Sequence, residues 1–234
     1  GELVHTAAIT ANTKEPYKGA YRQINEVGTA NLVAPALEAG IRRIVLVSGL
    51  GTVPAAEGSY MATRWGMEEA VRKSGIPYVI VQPSVLFGDG AEFVAALARI
   101  ASVSPVVPAM TGGHTRFQPI WIEDVVTVIE KALSDDQLLG RAVAIGGSEY
   151  ATFRQIVETI LEVSGKKRLV APLPVSVAKV QAALLSFLPK PPLTAATLEL
   201  FSFDNTTDLD AVEKNFGFRP RGFTEYLKAE GLTN

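Results

Sequence analysis

The chain has 234 residues, of which 47% are hydrophobic and 20% are charged, so it can bury a large apolar core. Its 22 basic and 24 acidic side chains nearly cancel, which gives no electrostatic basis for binding nucleic acid or an anionic membrane surface. With no cysteine and only two histidines, we expect no disulfide, no thiol nucleophile and no metal site.

The chain carries no targeting or membrane-spanning pattern. No apolar run approaches the roughly 18 residues that a spanning helix requires, and the first residues lack the features of a signal peptide. We therefore predict a cytoplasmic protein that acts on a small molecule. The sequence opens at strand-like hydrophobicity and without an initiating methionine, so we expect part of the protein to precede Gly1.

The first half of the chain alternates apolar strands with helices. LVHTAAI is predicted to be a buried strand, and the helix after it ends at Gly40. The strand RIVLVS, a helix over residues 59–74, the strand PYVIVQ and the helix GAEFVAALARIA follow in that order. This alternation is typical of a parallel sheet covered by helices on both faces.

The second half is less regular. Short strands are predicted around the Gly-Gly turn of VVPAMTGGHTRFQPIWI, then the helix EDVVTVIEKALS and the strand RAVAIGG. After Thr152 the pattern is mostly helical, with proline-rich interruptions. We predict an α/β sheet domain over residues 1–110 and a small mixed C-terminal lobe over residues 111–234, interleaved with it. The nearly uncharged helix Val175–Leu188 is expected to be buried or covered by a partner.

Small residues follow the predicted strands, where an open parallel sheet binds its ligands. The relevant stretches are His5-Thr6-Ala7-Ala8, Ser48-Gly49-Leu50-Gly51-Thr52 and Gln82-Pro83-Ser84-Val85, with Tyr60 and Arg64 at the start of a helix. Their order and spacing resemble the extended and atypical short-chain dehydrogenase/reductases, which include nucleotide-sugar epimerases and dehydratases. TRFQPIWIEDVV and FGFRPRGFTEYL resemble the branch around the 39 kDa accessory subunit of respiratory complex I.

The resemblance implies a Rossmann-like doubly wound parallel sheet and NAD or NADP as cofactor. It also implies that the N-terminal strands and the glycine-rich turn are missing from this sequence, because neither G-x-G-x-x-G nor G-x-x-G-x-x-G occurs in it. The residues that it assigns to the cofactor are Ala7, Ala8, Ser48, Tyr60, Arg64, Pro83, Ser84 and Val85.

By the same resemblance Tyr60 is the catalytic acid or base, and Arg64 replaces the lysine that holds the cofactor ribose. By spacing alone the favoured interpretation is an ordinary helix face, with the tyrosine ring half buried and the arginine in solvent. Leu50 stands where the family has a serine or threonine that polarises the substrate carbonyl, and leucine cannot donate a hydrogen bond. We expect the Ser48 hydroxyl to bond the backbone instead of replacing that donor.

Five more polar residues stand near the predicted site. Asn25 is either a bridge beside the active site or a helix-interior amide that satisfies a neighbouring carbonyl. His114 is expected in a solvated loop and His5 at a strand end. Arg116 and Gln118 either reach a ligand or lie on the surface.

Two functions therefore stay open. The first is an oxidoreductase or epimerase/dehydratase-like enzyme that acts on a small carbonyl or alcohol substrate, with Tyr60 and Arg64 as catalytic residues. The second is a non-catalytic dinucleotide-binding subunit that supports assembly or senses redox state, with a larger complex or a homodimer as its partner.

Overall fold

The computed structural model describes residues 1–55, 58–184 and 194–232. In this part of the chain the strands are β1 (Glu2–His5), β2 (Arg43–Val47), β3 (Tyr78–Pro83), β4 (Leu86–Phe87), β5 (Val106–Met110), β6 (Arg116–Phe117), β7 (Ile120–Trp121), β8 (Arg141–Ile145), β9 (Ala151–Thr152) and β10 (Leu169–Leu173). The helices are α1 (Gly28–Glu38), α2 (Tyr60–Arg72), α3 (Glu92–Val103), α4 (Ile122–Ser134), α5 (Phe153–Val163), α6 (Val175–Leu184), α7 (Ala195–Leu200), α8 (Ala211–Phe216) and α9 (Phe223–Glu230). A π-helical turn, Arg22–Val27, runs directly into α1.

The main sheet is parallel, with strand order β1–β2–β3–β8. Successive side chains of β2 point to opposite faces: Ile44 and Leu46 pack against α1 and α2, whereas Val45 packs against α4 and α8. Each face is thus buried under a pair of helices, which explains why β2 and β3 are apolar throughout. The predicted doubly wound α/β fold is confirmed.

The first strand differs from the prediction. It covers only Glu2–His5 instead of all of LVHTAAI, and it is mostly exposed, with Val4 38% accessible. In the described residues β1 lies at the edge of the sheet and pairs with β2 alone, so it gains less cover than the central strands. The prediction of a buried strand was wrong for this reason.

A second, smaller parallel sheet joins β5 to β10 across the two halves of the chain. The sequence predicted no strand after Thr152, because β10 is short and contains Pro172, which cannot donate to a ladder. Proline is tolerated there since β10 pairs with β5 only among the described strands. Meanwhile β8, from the second half, completes the main sheet.

The core of the C-terminal lobe is rich in aromatic side chains. Phe117 packs edge-on against Phe201 with ring centroids 5.4 Å apart, and Phe153 packs against Phe201 at 4.9 Å. These contacts join β6 and α5 to the segment that follows α7. Buried aromatic rings therefore hold β6 and α5 against the segment that follows α7.

The uncharged helix predicted over Val175–Leu188 is observed as α6, which ends at Leu184, and residues 185–188 lie outside the described part of the chain. Ala178 is fully buried, whereas Val177, Val180 and Leu184 are half exposed or more. The described residues therefore cover only one side of this helix. No helix in the described ranges is long and apolar enough to cross a bilayer.

Candidate functional site

Helix α2 begins at the carboxyl edge of the main sheet. Ser59 caps it by accepting a hydrogen bond from the Ala62 amide at 3.1 Å. Tyr60 and Arg64 lie one turn apart on the buried face of the helix, with exposed fractions of 7% and 8%. The interpretation of Arg64 as an ordinary solvated helix residue is therefore wrong.

The guanidinium of Arg64 lies against Gly49, just after the end of β2. A methyl group placed on Gly49, just after β2, would lie 3.1 Å from Arg64 Nη2, and the positive charge of Arg64 is felt by His5 at the end of β1. Within the described ranges no hydrogen bond or ion pair is made by Arg64. Since no fully buried side-chain nitrogen in these ranges lacks a bond, the unbonded nitrogens must reach solvent-accessible space. A nearly buried cation without a partner is costly unless a ligand supplies one.

The ring of Tyr60 is fixed by neighbours from distant parts of the chain. Tyr21 packs against it edge-on with centroids 5.3 Å apart, and Ala11 and Ala196 complete the cluster. The Tyr21 hydroxyl donates to the Thr13 carbonyl at 2.6 Å, and burial raises the pKa of Tyr21 to about 12. Tyr21 therefore stays protonated and bonded at neutral pH, whereas the Tyr60 hydroxyl makes no hydrogen bond to another described residue.

The α2 N-terminus is also held by Glu199 of α7. Its two carboxylate oxygens accept hydrogen bonds from the backbone amides of Tyr60 and Met61, each at 3.1 Å. A carboxylate at this end satisfies two unpaired amides and complements the helix dipole. Sequence reasoning missed Glu199, because a contact across 139 residues leaves no local signal in a short acidic helix.

Asn25 combines both interpretations that the sequence left open. This fully buried amide accepts from the Ile9 amide at 2.8 Å and donates to the Ile9 carbonyl at 3.1 Å, and it also donates to Thr63 of α2 at 3.4 Å. It thus ties the loop after β1 to the helix that carries Tyr60. The π-helical turn that presents Asn25 is a local irregularity of a kind often found at functional sites.

The hydroxyl groups after β2 are already bonded within the protein. Ser48 donates to Glu68 Oε1 at 2.5 Å, and Gln82 donates to the same oxygen at 2.8 Å. Thr52 donates to the Gly49 carbonyl at 2.6 Å. The expected backbone partner of Ser48 was wrong: its partner is a buried carboxylate on α2, which the strand-end pattern could not reveal.

The loop after β3 is bonded to the C-terminal segment. Ser84 donates to Asn205 Oδ1 at 2.7 Å, and Asn205 Nδ2 donates to the Leu50 carbonyl at 3.3 Å. The Leu50 amide donates to the Pro83 carbonyl at 2.9 Å. The segments after β2 and β3 and the C-terminal segment around Asn205 therefore form one network, and the buried Leu50 side chain adds no donor to it.

The remaining residues assigned to the cofactor lie at the same edge of the sheet. Ala7 is exposed and Ala8 half-buried in the irregular stretch after β1. Pro83 is buried at the end of β3, and Val85 is half-buried just beyond it. Small side chains at Ala7 and Ala8 leave the backbone open to close approach by a ligand.

His5 is bonded to the helix that follows the first loop. Its Nε2 lies 2.8 Å from Thr29 Oγ1. Because the Thr29 hydroxyl donates its own hydrogen bond to the Asn25 carbonyl at 2.6 Å, we assign His5 Nε2 as the donor to Thr29. Burial, and then the charge of Arg64, lower the pKa of His5 below its ordinary value of 6.5. His5 is therefore a neutral packing residue at a strand end at pH 7.

The polar side chains of the Gly-Gly turn region make no hydrogen bond to Tyr60 or Arg64 within the described residues. His114 is exposed, and Arg116 forms an exposed ion pair with Asp204 at 2.8 Å. Gln118 is fully buried, where it donates to the Gly147 carbonyl at 2.8 Å and accepts from the Thr207 amide at 2.8 Å. Gln118 is therefore not on the surface. Its side-chain amide joins the loop of Gly147 to the loop of Thr207.

This arrangement fits the nicotinamide ribose of a dinucleotide better than its pyrophosphate. Arg64 has five donors and no acceptor, and the Tyr60 hydroxyl has no bond to another described residue, so both can bond ribose oxygens. The open backbone at Ala7 and Ala8 suits a ligand that passes the end of β1. A glycine-rich turn for the pyrophosphate does not occur in these 234 residues.

Residues 3–103 match the NAD(P)H-binding family. The NADH dehydrogenase [ubiquinone] 1 alpha subcomplex subunit 9, mitochondrial, of Arabidopsis thaliana is 26% identical over 172 residues, which cover 73% of this chain and 43% of that protein. A ceramide reductase of Caulobacter vibrioides is 31% identical over 123 residues, covering 52% of this chain and 37% of the relative. The chain thus spans less than half the length of these two curated relatives.

Solved structures show the same fold. The crystal structure of Thermus thermophilus UDP-glucose 4-epimerase in complex with NAD superposes with a TM-score of 0.68 at 18% identity, over 97% of this chain and 75% of that one. The likeness supports the Rossmann-like architecture, including the C-terminal lobe, because it covers nearly the whole chain.

Proposed function

We propose that this chain, whose residues 3–103 match the NAD(P)H-binding family, is an extended short-chain dehydrogenase/reductase-like protein and works in an NAD(P)-dependent oxidoreductase or epimerase-type reaction on a small carbonyl or alcohol substrate. The observation that carries the proposal is the pairing of Tyr60 with Arg64. Both are nearly buried, both lie at the carboxyl edge of the sheet, and neither side-chain polar group is bonded within the described residues.

In this proposal Arg64 binds the hydroxyls of the nicotinamide ribose, and the backbone at Ala7 and Ala8 and the residues Pro83, Ser84 and Val85 flank the cofactor. The cofactor supplies or accepts a hydride at the substrate carbon. The Tyr60 phenol gives its proton to the substrate oxygen in the reducing direction and takes it back in the oxidising direction. Ser48 contributes through its hydrogen bond to Glu68, which fixes the position of α2 against the end of β2.

Asn25 and Glu199 would act as positioning residues. Asn25 fixes the loop that contains Ala7 and Ala8, and Glu199 fixes the first turn of α2, where Tyr60 lies. Catalysis requires the proton donor and the reacting carbon to be held within a fraction of an ångström, so these contacts matter even though neither residue touches the substrate.

The test is a comparison of Tyr60→Phe with the wild-type protein, both expressed from the full reading frame. NADPH and NADH are titrated by fluorescence, and turnover is followed by cofactor absorbance with straight-chain aldehydes and ketones as probes. We expect Tyr60→Phe to lower turnover by about 10²–10⁴-fold and to change cofactor affinity little. Turnover that is equal in the two proteins would refute the role of Tyr60.

A second candidate is a non-catalytic dinucleotide-binding subunit. It is favoured by Leu50, by the internal bonding of Ser48 and Thr52, and by the exposed apolar face of α6. One relative is named as a subunit of mitochondrial NADH dehydrogenase, so a larger complex is the partner that this alternative assigns. A homodimer and a cytoplasmic location stay predictions from the sequence.

The two candidates differ in how the protein treats its cofactor. The enzyme candidate expects that bound cofactor is oxidised or reduced when a carbonyl or alcohol probe is added. The structural candidate expects cofactor that copurifies at one per chain, does not exchange, and keeps its redox state with every probe. Arg64→Leu should weaken cofactor binding in both cases, because it removes the unpaired donor group.

A further inference from the structure

A cavity of about 100 Å³ lies between α3 and β5 on one side and β10, α5 and α7 on the other. A single water-sized sphere needs only about 10–15 Å³ by the same measure, so the cavity has room for several methylene-sized groups. It is of the same order as apolar protein cavities of about 150 Å³ that stay dry and bind benzene.

The walls of the cavity are almost entirely apolar. Phe93, Leu97 and Ile100 project from α3, Val107 and Met110 from β5, and Phe153 from α5. None of the described lining residues carries a charge. Burial of a charged group here would be costly, whereas hydrocarbon would gain by leaving water.

The two polar lining residues, Asn12 and Thr197, each stand beside a residue of the Tyr60 cluster. The Asn12 side chain is exposed and makes no hydrogen bond to another described residue, so its amide is open to a ligand. The Thr197 hydroxyl donates to the Ala11 carbonyl at 3.0 Å, but its oxygen can still accept.

The two polar lining residues are chain neighbours of residues that pack against Tyr60. Ala11 and Ala196, the chain neighbours of Asn12 and Thr197, pack in one buried cluster with Tyr60. Helix α7 therefore has two contacts: Thr197 lines the cavity, while Glu199 holds the amide of Tyr60. A ligand whose hydrocarbon part fills the cavity would have its polar end near Asn12 and Thr197.

We infer that this cavity binds the aliphatic part of an uncharged alcohol or ketone, with the oxygen-bearing end directed to Asn12 and Thr197. The assignment of this ligand as a substrate rests on the proposed function, but its binding does not. Because none of the described lining residues is charged, the cavity selects against fatty acids and other anions of equal chain length.

The experiment is a calorimetric titration of the full-length protein with straight-chain primary alcohols from butan-1-ol to decan-1-ol. Each added methylene should tighten binding about fourfold until the cavity is filled, after which the affinity levels off. The heat-capacity change of binding should be negative, as expected for burial of apolar surface. The carboxylate of the same chain length should bind at least about tenfold more weakly, because its charge is not compensated.

Ala96 lines the cavity and Ala95, its neighbour on α3, does not. Ala96→Leu should fill part of the space and weaken decan-1-ol binding by about tenfold or more, with Ala96→Val between it and the wild type. Ala95→Leu is the matched control and should leave binding unchanged. A cooperative thermal transition in each variant shows that the fold is retained, and Ala96→Val keeps the test valid if the leucine overpacks the lobe.

Two outcomes would overturn the inference. One is the absence of measurable alcohol binding to the wild type. The other is equal weakening, or none, in the Ala96 and Ala95 variants, which would place the alcohol elsewhere, for example on the apolar face of α6. Failure of the proposed function is distinguished by Tyr60→Phe: Tyr60 is not among the described lining residues, so that variant should bind alcohols as the wild type does whether or not Tyr60 is catalytic.

Discussion

Replacement of Asn25 by alanine should destabilise the protein strongly and loosen the cofactor side of the sheet. The substitution removes three hydrogen bonds, at 2.8, 3.1 and 3.4 Å, and leaves the amide and carbonyl of Ile9 without their partner. At about 1 kcal/mol for each of the two short bonds and less for the long one, we expect a loss of about 2–3 kcal/mol in the free energy of unfolding. That is a large share of the roughly 5–15 kcal/mol that stabilises a typical domain.

The geometry also predicts the effect of a near-isosteric change. Asn25→Asp keeps the oxygen that accepts from the Ile9 amide but places a second oxygen against the Ile9 carbonyl, where Nδ2 now donates at 3.1 Å. It also introduces a charge at a fully buried position. Asn25→Asp should therefore be at least as destabilising as Asn25→Ala, although it changes the shape of the side chain much less.

Urea unfolding, with NADPH titration in parallel, measures both effects. Asn215→Ala is the control, because its amide bonds the Ala211 carbonyl at 2.8 Å on a more accessible helix, and it should cost less than about 1 kcal/mol. The reasoning is refuted if Asn25→Ala costs no more than this control. We expect weaker NADPH binding as well, because Asn25 holds the loop that contains Ala7 and Ala8.

The remaining predictions concern charge. Because the pKa of His5 is lowered in the folded state, the unfolded chain takes up the proton first, so the free energy of unfolding should fall as the pH drops through about 6.5 and toward the folded pKa. His5→Gln should reduce that slope in urea titrations between about pH 7.5 and pH 5.5, and an unchanged slope would contradict the assignment. Glu199→Gln removes the charge that holds the amides of Tyr60 and Met61, and should cost about 1 kcal/mol. Glu158→Gln, at an exposed ion pair, should cost almost nothing; equal losses in the two variants would argue against the cap.

The parts of the fold that the sequence predicted are those set by local periodicity. The alternating apolar runs of β2 and β3 and the helical spacing of α2 follow from which residues must be buried within one element. Gly40 ends the α1 region as predicted, since its φ of +68° is a conformation that favours glycine. These features depend on residues a few positions apart, so a single sequence carries them.

The parts that it did not predict depend on long-range partners. The burial of Gln118 follows from Gly147 and Thr207, and the bond of Ser84 to Asn205 spans 121 residues. The edge position of β1 likewise depends on which strands pair with it. A local sequence pattern predicts only the environment that a residue type usually has, which for glutamine is the surface. The prediction for Gln118 therefore missed its buried position.

The network after the strands has a consequence for the chemistry. Ser48 donates to Glu68, Thr52 to the Gly49 carbonyl, Ser84 to Asn205, and Thr63 to the Tyr60 carbonyl at 2.8 Å. Each of these hydroxyl groups already donates its one hydrogen bond to a partner within the protein. A substrate carbonyl at this edge would therefore find its donors in the Tyr60 phenol and the Arg64 guanidinium.

A site with two independent donors retains part of its activity when one is removed, because the second still stabilises the developing charge on oxygen. Here Arg64 is expected to be occupied by the ribose, so no other donor would compensate for Tyr60. The loss of turnover in Tyr60→Phe should then lie toward the upper end of the range of about 10²–10⁴-fold. Leu50→Ser offers the converse: a hydroxyl at the position where the resembled family has one should raise the residual turnover of Tyr60→Phe. If it does not, the loop after β2 does not direct residue 50 toward the substrate.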